Sequence, residues 1–332
     1  MLKKRMRFAA AALAAGIAIT SLAGCGGSSG DSAAGSASAS SAGGDSDSIK
    51  VGVVLKTLSN PFYVTMQEAM EAKADELGME MVLQAPETET ETEKQMQIVE
   101  NLVVQQIEGL ILAPNGSSEL VPAVKEANDA DVPVVILDSR IEEADLEEAG
   151  AHIECFIGSD NYQGGQLAAE AMSEALGGSG KVAVVEGISG VESSELRVGG
   201  FKDKVEELGG LEVVASQPAD WEQEQGYTVT QNILQANPDI AGIFCANDMM
   251  ALGAVKAIED AGMEEQVTVI GFDATDDAKA AISEGRMYAS VGQDPALMGE
   301  QALEVIQSIK DGSSYEEEYA MDVKVVTADD IG

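Results

Sequence analysis

Hydrophobic and polar positions follow two alternating patterns from Ile49 onward. Short runs rich in Val, Ile and Leu, typical of strands buried on both faces, are followed by longer segments in which apolar residues recur at helical spacing. Pro61 suits the start of the first predicted helix, whose apolar face includes Met66 and Met70 and which ends at Gly78. Strands that alternate with single helices predict a mostly parallel, doubly wound α/β sheet.

The alternation runs along the chain in two series. Two similar series in one chain predict two lobes with a cleft between them. The predicted strands of the first series are 49–55, 79–84, 109–113 and 132–137, and the second series begins near residue 156 and continues through strands 181–186, 211–216, 240–245 and 267–272.

Polar residues follow several of these strands where each strand ends. Asn247 and Asp248 follow one strand, while Asn115, Asp138 and Asp273 each end another. In an open α/β sheet the ligand crevice lies beyond the carboxyl ends of the strands. A single Asn or Asp at such a place is commonly a helix cap, which is the alternative for Asn247 and Asp248. Four strands that deliver polar groups to one edge favour a site for a polyhydroxylated ligand.

The N-terminus has the pattern of an export signal. Residues 1–24 carry four Lys or Arg and no acidic residue, and their apolar stretch of about sixteen residues is short for a membrane span. The segment ends in Leu-Ala-Gly before Cys25, which resembles a bacterial lipobox and implies cleavage and lipidation there. The alternative is an unmodified cysteine near an ordinary cleavage site. Residues 25–48 are then almost only Gly, Ser, Ala and Asp, which predicts a flexible tether.

Composition excludes several function classes. With 19 Lys and Arg against 58 Asp and Glu, the formal net charge of −39 makes nucleic acid an unsuitable partner. His152 is the only histidine, and Cys155 and Cys245 each lie in apolar strand-like sequence. We expect these two thiols to be buried and inert, with no metal site, no cofactor and no catalytic nucleophile. The acidic run of residues 87–93 is interpreted as a solvated surface feature near a helix start.

Seven segments carry a family resemblance. They resemble the periplasmic sugar-binding protein family with the type I fold, in particular its ribose-binding members, which supply ABC importers. The match runs from about residue 49 to the end, and the combination is more specific than any one motif. The segments are LSNPFY (58–63), LDSR (137–140), GSDNYQGG (158–165), SQPADW (216–221), ANDMMALGA (246–254), VIGFDATDD (269–277) and GQDPALMG (292–299).

The resemblance implies two α/β lobes joined by three crossing segments, a sugar in the cleft and hinge closure over it. The implied boundaries are 49–155 plus 293–320 for the N-terminal lobe and 156–292 plus 321–332 for the C-terminal lobe. Aromatic rings would pack on the sugar and polar groups would bond its hydroxyls. The implied ligand-binding residues are Asn60, Phe62, Tyr63, Asp138, Arg197, Trp221, Asn247, Asp273 and Gln293.

The chain departs from the family pattern at two places. The family's adjacent Asp-Arg pair is here Asp138-Ser139-Arg140, so the arginine would point away from the sugar and leave Ser139 to make a weaker contact. Lys56 stands where the family has a small polar residue, and a cation there would replace the displaced arginine or indicate a different sugar. Asn115, Lys56, Ser139 and Arg140 are therefore secondary candidates.

The sequence and the resemblance together predict a non-enzymatic, exported lipoprotein on the outer face of the cytoplasmic membrane. It would be a monomer that captures ribose or a related sugar and delivers it to ABC permease and ATPase subunits. Two alternatives stay open: a sensor that presents its ligand to a membrane receptor, and an importer protein for a nucleoside-like or furanosyl ligand. A related transcriptional repressor is disfavoured by the export signal and by the absence of a basic N-terminal DNA-binding module.

Overall fold

The computed structural model describes residues 48–331. The predicted signal peptide, Cys25 and all but the last residue of the predicted tether lie outside the described residues. Within residues 48–331, no helix is both long and apolar enough to cross a bilayer.

The first lobe is built around a six-stranded sheet in the order β11-β5-β4-β3-β1-β2, in which every neighbouring pair is parallel. Its elements up to the first crossing are β1 (Lys50–Val54), α1 (Pro61–Leu77), β2 (Glu80–Gln84), α2 (Thr92–Val104), β3 (Gly109–Leu112), α3 (Val121–Asp129), β4 (Val134–Leu137), α4 (Glu143–Ala149) and β5 (Cys155–Ser159).

The second lobe repeats the arrangement, with sheet order β12-β10-β9-β8-β6-β7. Only its edge strand β12 runs antiparallel to its neighbour. Its elements up to the second crossing are α5 (Asn161–Ala175), β6 (Gly180–Glu186), α6 (Glu192–Leu208), β7 (Leu211–Pro218), α7 (Gln223–Ala236), β8 (Gly242–Cys245), α8 (Asp248–Ala261), β9 (Thr268–Asp273), α9 (Asp276–Ser283) and β10 (Ala289–Gly292).

The chain crosses between the lobes three times. It leaves the first sheet after β5, returns after β10 as α10 (Pro295–Asp311) and β11 (Glu318–Met321), and crosses again to β12 (Lys324–Thr327). The predicted fold class of two doubly wound lobes is confirmed. The predicted boundary after residue 155 differs from the structure, because β5 pairs in parallel with β4 and β11 and so belongs to the first lobe. The pattern did not predict the short helices α4 and α9 or, after β9, the elements β10, α10, β11 and β12.

Each sheet is covered by helices on both faces, which explains why its central strands are mostly apolar. In the first lobe, one core layer lies under α1 and α10 and the other under α2, α3 and α4. In the second lobe, α7, α8 and α9 cover one face and α5 and α6 the other. The predicted burial of Cys155 and Cys245 is confirmed, and both thiols are free. Burial raises the pKa of Cys155 to about 12, which keeps that thiol protonated and unreactive.

Helices α5 and α6 approach closely because glycines lie at their contact. A Cβ atom on Gly165 would lie 2.1 Å from the carbonyl oxygen of Arg197, and one on Gly200 would lie 2.1 Å from the carbonyl oxygen of Tyr162. Both obstacles are backbone atoms, which cannot rotate away. The close approach fixes the position of α6 against α5, and α6 carries Arg197.

We expect Gly200→Ala to destabilise the protein by about 1–3 kcal/mol, because the added methyl forces the two helix backbones apart. The neighbouring Gly199→Ala is a matched control, since a Cβ there meets nothing within 4 Å. Removing a helix glycine at that position should be neutral or stabilise by about 0.5–1 kcal/mol. Urea denaturation measures both. Equal effects of the two substitutions would contradict this account of the helix contact.

Candidate functional site

A polar cavity lies between the lobes, and most of the residues that line it follow the carboxyl ends of strands. Its empty space is about 250 Å³. The structure brings eight of the nine main sequence candidates to this cavity, together with Lys56, and adds two residues that were not predicted, Glu89 and Ser193. The complete lining is Lys56, Asn60, Phe62, Tyr63, Glu89 and Asp138 from the first lobe and Ser193, Arg197, Trp221, Asn247 and Asp273 from the second.

Three of the lining residues have a left-handed backbone although none is glycine. The φ angles are 66° at Asp138, 66° at Trp221 and 110° at Asp273. Residues other than glycine adopt positive φ at an energetic cost, and such residues concentrate at functional sites. At Asp138 and Asp273 the strand ends in a sharp turn that directs the carboxylate towards the cleft.

Lys56 and Asp138 form a buried ion pair on the first-lobe wall. The Nζ–Oδ2 distance is 2.7 Å, and the side chains are only 2% and 4% exposed. Tyr63 Oη and Ser139 Oγ also donate to Asp138 Oδ2, each at 3.1 Å. Burial alone would raise the pKa of Asp138, but the charges of Lys56 and Arg197 outweigh it and hold that pKa below its usual range. Asp138 is therefore an ionised acceptor.

Arg197 projects from α6 on the opposite wall. Its Nε donates to Asn161 Oδ1 and its Nη1 donates to the carbonyl oxygen of Ala246, both at 2.8 Å, while the guanidinium stacks 3.8 Å from the centre of the Phe272 ring. Its Nη1 lies 3.6 Å from Asp273 Oδ1. Arg197 thus holds α5, β8 and β9 together as well as facing the cavity, so it contributes to the fold of the second lobe.

Glu89 corrects the interpretation of the acidic run as a solvated surface feature. It is 5% exposed and lines the cavity, although Glu87 and Glu93 on the same run are exposed. The carboxylate of Glu91 accepts from the amides of Glu87 and Thr88, and this turn directs Glu89 inward. Burial and then the charge of Asp138 raise the pKa of Glu89 to about 7, against the opposing effects of Lys56, Asn60 and Arg197. The signal was available, because the run follows the carboxyl end of β2 as other site residues follow their strands.

The aromatic candidates lie on both walls of the cavity. Phe62 and Tyr63 pack edge to face with ring centres 5.1 Å apart, at the start of α1. Trp221, from the β7–α7 loop of the second lobe, is 6% exposed. Its indole Nε1 is buried and has no hydrogen-bond partner among residues 48–331. The cavity thus offers apolar ring faces, and the indole N–H of Trp221 is a donor that these residues leave unused.

Two helix-capping residues serve both the fold and the cavity. Asn60 and Asn247 cap helices α1 and α8, since their Oδ1 atoms accept from the amides of Phe62 and Met250. The capping alternative is thus correct for Asn247, which also lines the cavity. Asp248 does not reach the crevice, because it is fully buried and accepts hydrogen bonds from Thr275 and Ser290.

The remaining candidates lie next to the cavity or away from it. Gln293 donates to Asp273 Oδ1 at 2.7 Å and so supports a lining residue. Asn115 donates to the backbone carbonyl of Lys56 at 3.3 Å from beneath that residue. Arg140 does point away from the cavity, as its displaced position predicts. It stacks 3.8 Å from the Phe156 ring centre and pairs with Glu318 at 2.5 Å.

Direct hydrogen bonds join the two lobes beside the cavity. Ser139 Oγ and Ser193 Oγ lie 2.9 Å apart and share a hydrogen bond, and the amide of Glu192 donates to Ser117 Oγ at 3.1 Å. Both contacts involve the first turn of α6 on the second lobe. The structure is therefore a closed form, in which the walls meet around the cavity.

The charges of the cavity suit an uncharged ligand with many hydroxyls. Two cations, Lys56 and Arg197, face three carboxyl groups and already lie next to Asp138 and Asp273, so neither is free to bind an anionic ligand such as a phosphorylated sugar. Burial raises the pKa of Asp273 well above its usual range, although Arg197 partly opposes this effect. Carboxylates, guanidinium and amide groups beside aromatic rings provide the polar and apolar contacts that a sugar needs.

Comparison with known proteins gives consistent matches over the described lobes. The chain is 34% identical to the ribose import binding protein of Bacillus subtilis (strain 168) over 284 residues, covering 86% of this chain and 89% of that protein. It is 37% identical to the D-allose-binding periplasmic protein of Escherichia coli (strain K12) over 255 residues, covering 76% and 82%.

A solved structure shares the fold at similar identity. The periplasmic solute-binding protein of an ABC transporter from Actinobacillus succinogenes 130z, crystallised with bound D-allose, superposes with a TM-score of 0.81 and 36% identity. The match covers 85% of this chain and 98% of that one. The periplasmic binding protein domain family matches residues 51–314. This chain belongs to the periplasmic binding protein family of ABC sugar importers.

Proposed function

We propose that this protein captures a monosaccharide of the ribose and allose type between its lobes and presents it to an ABC importer. The observation that carries the proposal is the interlobe cavity, where aromatic rings and five ionisable side chains from two lobes converge in a closed form. Relatives whose names specify ribose or D-allose support the ligand class.

The chemistry of these two sugars suits the cavity. Ribose and allose have the same relative configuration at C2, C3 and C4, so both can present three neighbouring hydroxyls to the same protein groups. Asp138, ionised and held by Lys56, is an acceptor for paired hydroxyls, while Arg197 is the donor on the other wall. Trp221 and Phe62 supply ring faces for the C–H surface of a pyranose or furanose.

Transport follows from closure of the lobes around the sugar. A ligand that bonds to both walls has a higher affinity for the closed form than for the open form, so binding shifts the population towards closure. The importer would then distinguish loaded from empty protein by the relative position of the lobes. No covalent change of the ligand is required, and the protein acts as a binding protein rather than an enzyme.

The proposal places the protein outside the cytoplasm on a lipid anchor. The export signal, the lipobox-like segment before Cys25 and the Gly/Ser-rich tether support this arrangement. A tether of flexible composition lets the binding lobes reach the importer while the anchor keeps them at the membrane surface.

Trp221 is the chain's only tryptophan, so its emission should report ligand binding. We expect D-ribose or D-allose to cause a saturable change, because a sugar would cover the indole, and D-glucose to bind more weakly because its C3 hydroxyl is inverted. Titration calorimetry provides an independent measure, and an Asp138→Asn variant should require much more sugar. If neither sugar changes the emission and calorimetry is also silent, the proposed function is wrong.

The lipid anchor predicts a simple fractionation result. The full chain expressed in a bacterial host should sediment with membranes and incorporate labelled fatty acid, whereas a Cys25→Ser variant should do neither, because the acceptor thiol is gone. Cys155→Ser is the control that retains Cys25. Unlabelled wild-type protein in the soluble fraction would contradict the anchor while leaving sugar binding unaffected.

The buried ion pair predicts a large stability loss when only one partner is removed. We expect Lys56→Met to lower the free energy of unfolding by about 3–5 kcal/mol, because Asp138 is left as an uncompensated buried charge. The double variant Lys56→Met/Asp138→Asn should recover much of that loss. Lys256→Met, which breaks an exposed pair with Asp260, should cost less than about 1 kcal/mol. Urea denaturation at pH 7 tests all three, and equal losses for both lysines would refute the buried-pair account.

A further inference from the structure

Glu89 differs from the other two carboxylates of the cavity in how little the protein satisfies it. Among residues 48–331, its side chain has one hydrogen-bond donor, Asn60 Nδ2, at a long 3.4 Å from Oε1. Asp138 receives Lys56, Tyr63 and Ser139. Glu89 is nevertheless 5% exposed, so bulk water cannot fully supply the missing donors.

The cations of the cavity are already paired with the other carboxylates. Lys56 Nζ lies 2.7 Å from Asp138, and Arg197 Nη1 lies 3.6 Å from Asp273. Within the part of the chain that the structure describes, no Lys, Arg or His nitrogen lies within 4.0 Å of the Glu89 carboxylate. A buried carboxylate in this position is costly unless a ligand supplies a donor, and its raised pKa has the same cause.

The neighbours of Glu89 indicate which kind of donor suits it. Glu89 lies beside Asn60, and Asn60 precedes the helix that carries Phe62 and Tyr63. A sugar ring packed on these two aromatic side chains would therefore bring the edge of the sugar to the Glu89 carboxylate. A hydroxyl at a ring edge can donate one short, charge-assisted bond to Oε1 or Oε2. A methylene at the same place would leave the carboxylate unsatisfied.

We propose that Glu89 is a specificity-determining ligand contact, which accepts a hydrogen bond from one hydroxyl of the bound sugar and rejects ligands that lack that hydroxyl. This inference rests on the proposed sugar-binding function and assigns one selective interaction within it. Asp138 and Asp273 have partners within the protein whether or not a ligand is bound. Glu89 instead depends on the ligand for a donor, so a ligand without the matching hydroxyl leaves this carboxylate unpaired and binds more weakly.

The test compares a sugar with its monodeoxy analogues in two variants. The parent is whichever of D-ribose and D-allose binds the purified protein more tightly, measured by calorimetry and Trp221 emission. In wild type, one monodeoxy analogue should bind about 10- to 100-fold more weakly than the parent, as expected for a lost hydrogen bond to a charged group. In Glu89→Ala the affinity for the parent sugar should fall. The affinity ratio between the parent and that same analogue should shrink to less than about threefold.

A matched control and a conservative variant separate this contact from general damage. Glu87→Ala removes the same charge from the same loop at an exposed position and should leave every ratio unchanged. Glu89→Gln keeps the shape and one acceptor oxygen, so its ratio should lie between those of wild type and Glu89→Ala. Urea denaturation verifies that each variant is folded.

The outcomes distinguish the two proposals. If the parent binds but every analogue keeps its wild-type deficit in Glu89→Ala, Glu89 does not select a hydroxyl, and the further inference alone is overturned. Tighter binding of an amino analogue than of the parent in wild type would also overturn it, because the carboxylate would then recognise an ammonium group. If wild type binds neither ribose nor allose, the proposed function fails and this inference fails with it.

Discussion

The buried charge balance of the cleft is the constraint on which the rest of the site depends. Three carboxyl groups and two cations lie in a cavity with little access to water, and each must be compensated within a few ångströms. Lys56 compensates Asp138, and Arg197 faces Asp273 while also bonding to Asn161 and Ala246. These pairs fix the walls in place before any ligand enters. The fifth group, Glu89, has no such partner. A ligand can therefore contribute most at Glu89, where it would supply the missing hydrogen-bond donor.

Much of the fold could be predicted from the sequence because its strands are buried on both faces and its helices on one. The boundary after residue 155 could not, because membership of a sheet is set by pairing with β4 and β11, and β11 lies far away in the sequence. Local pattern identifies a strand but not its neighbours. The short helices α4 and α9 were not predicted for a related reason. Two helical turns contain too few apolar positions to show a helical repeat.

The candidate site shows a similar division between local and non-local information. Asp138 and Asp273 were predictable because each ends an apolar run. Arg140 does point away from the cavity, but strand alternation is not the reason, because β4 ends at Leu137 and Asp138 has a φ of 66°. The prediction that the acidic run is solvated was wrong for Glu89. Four glutamates alternate with threonines in this run, and composition does not reveal which glutamate turns inward. That choice depends on a bond from a distant residue, because the hydroxyl of Thr57 donates to the carbonyl of Glu87, while Glu91 closes the turn locally. A loop held by another segment has a conformation that its own sequence does not specify.

The three crossings between lobes have a consequence for the order in which the protein can fold. Strand β11 completes the edge of the first sheet and β12 the edge of the second, yet both follow all the other strands of the two sheets in the sequence. Helix α10, which covers one face of the first sheet, is also made late. Neither lobe can therefore be completed before residues 318–327 are available to it, and the long-range pairings make folding slow relative to local structure. The three crossings that let the two lobes hinge also make them one unit of assembly, in which loss of residues 318–327 would remove an edge strand from each sheet.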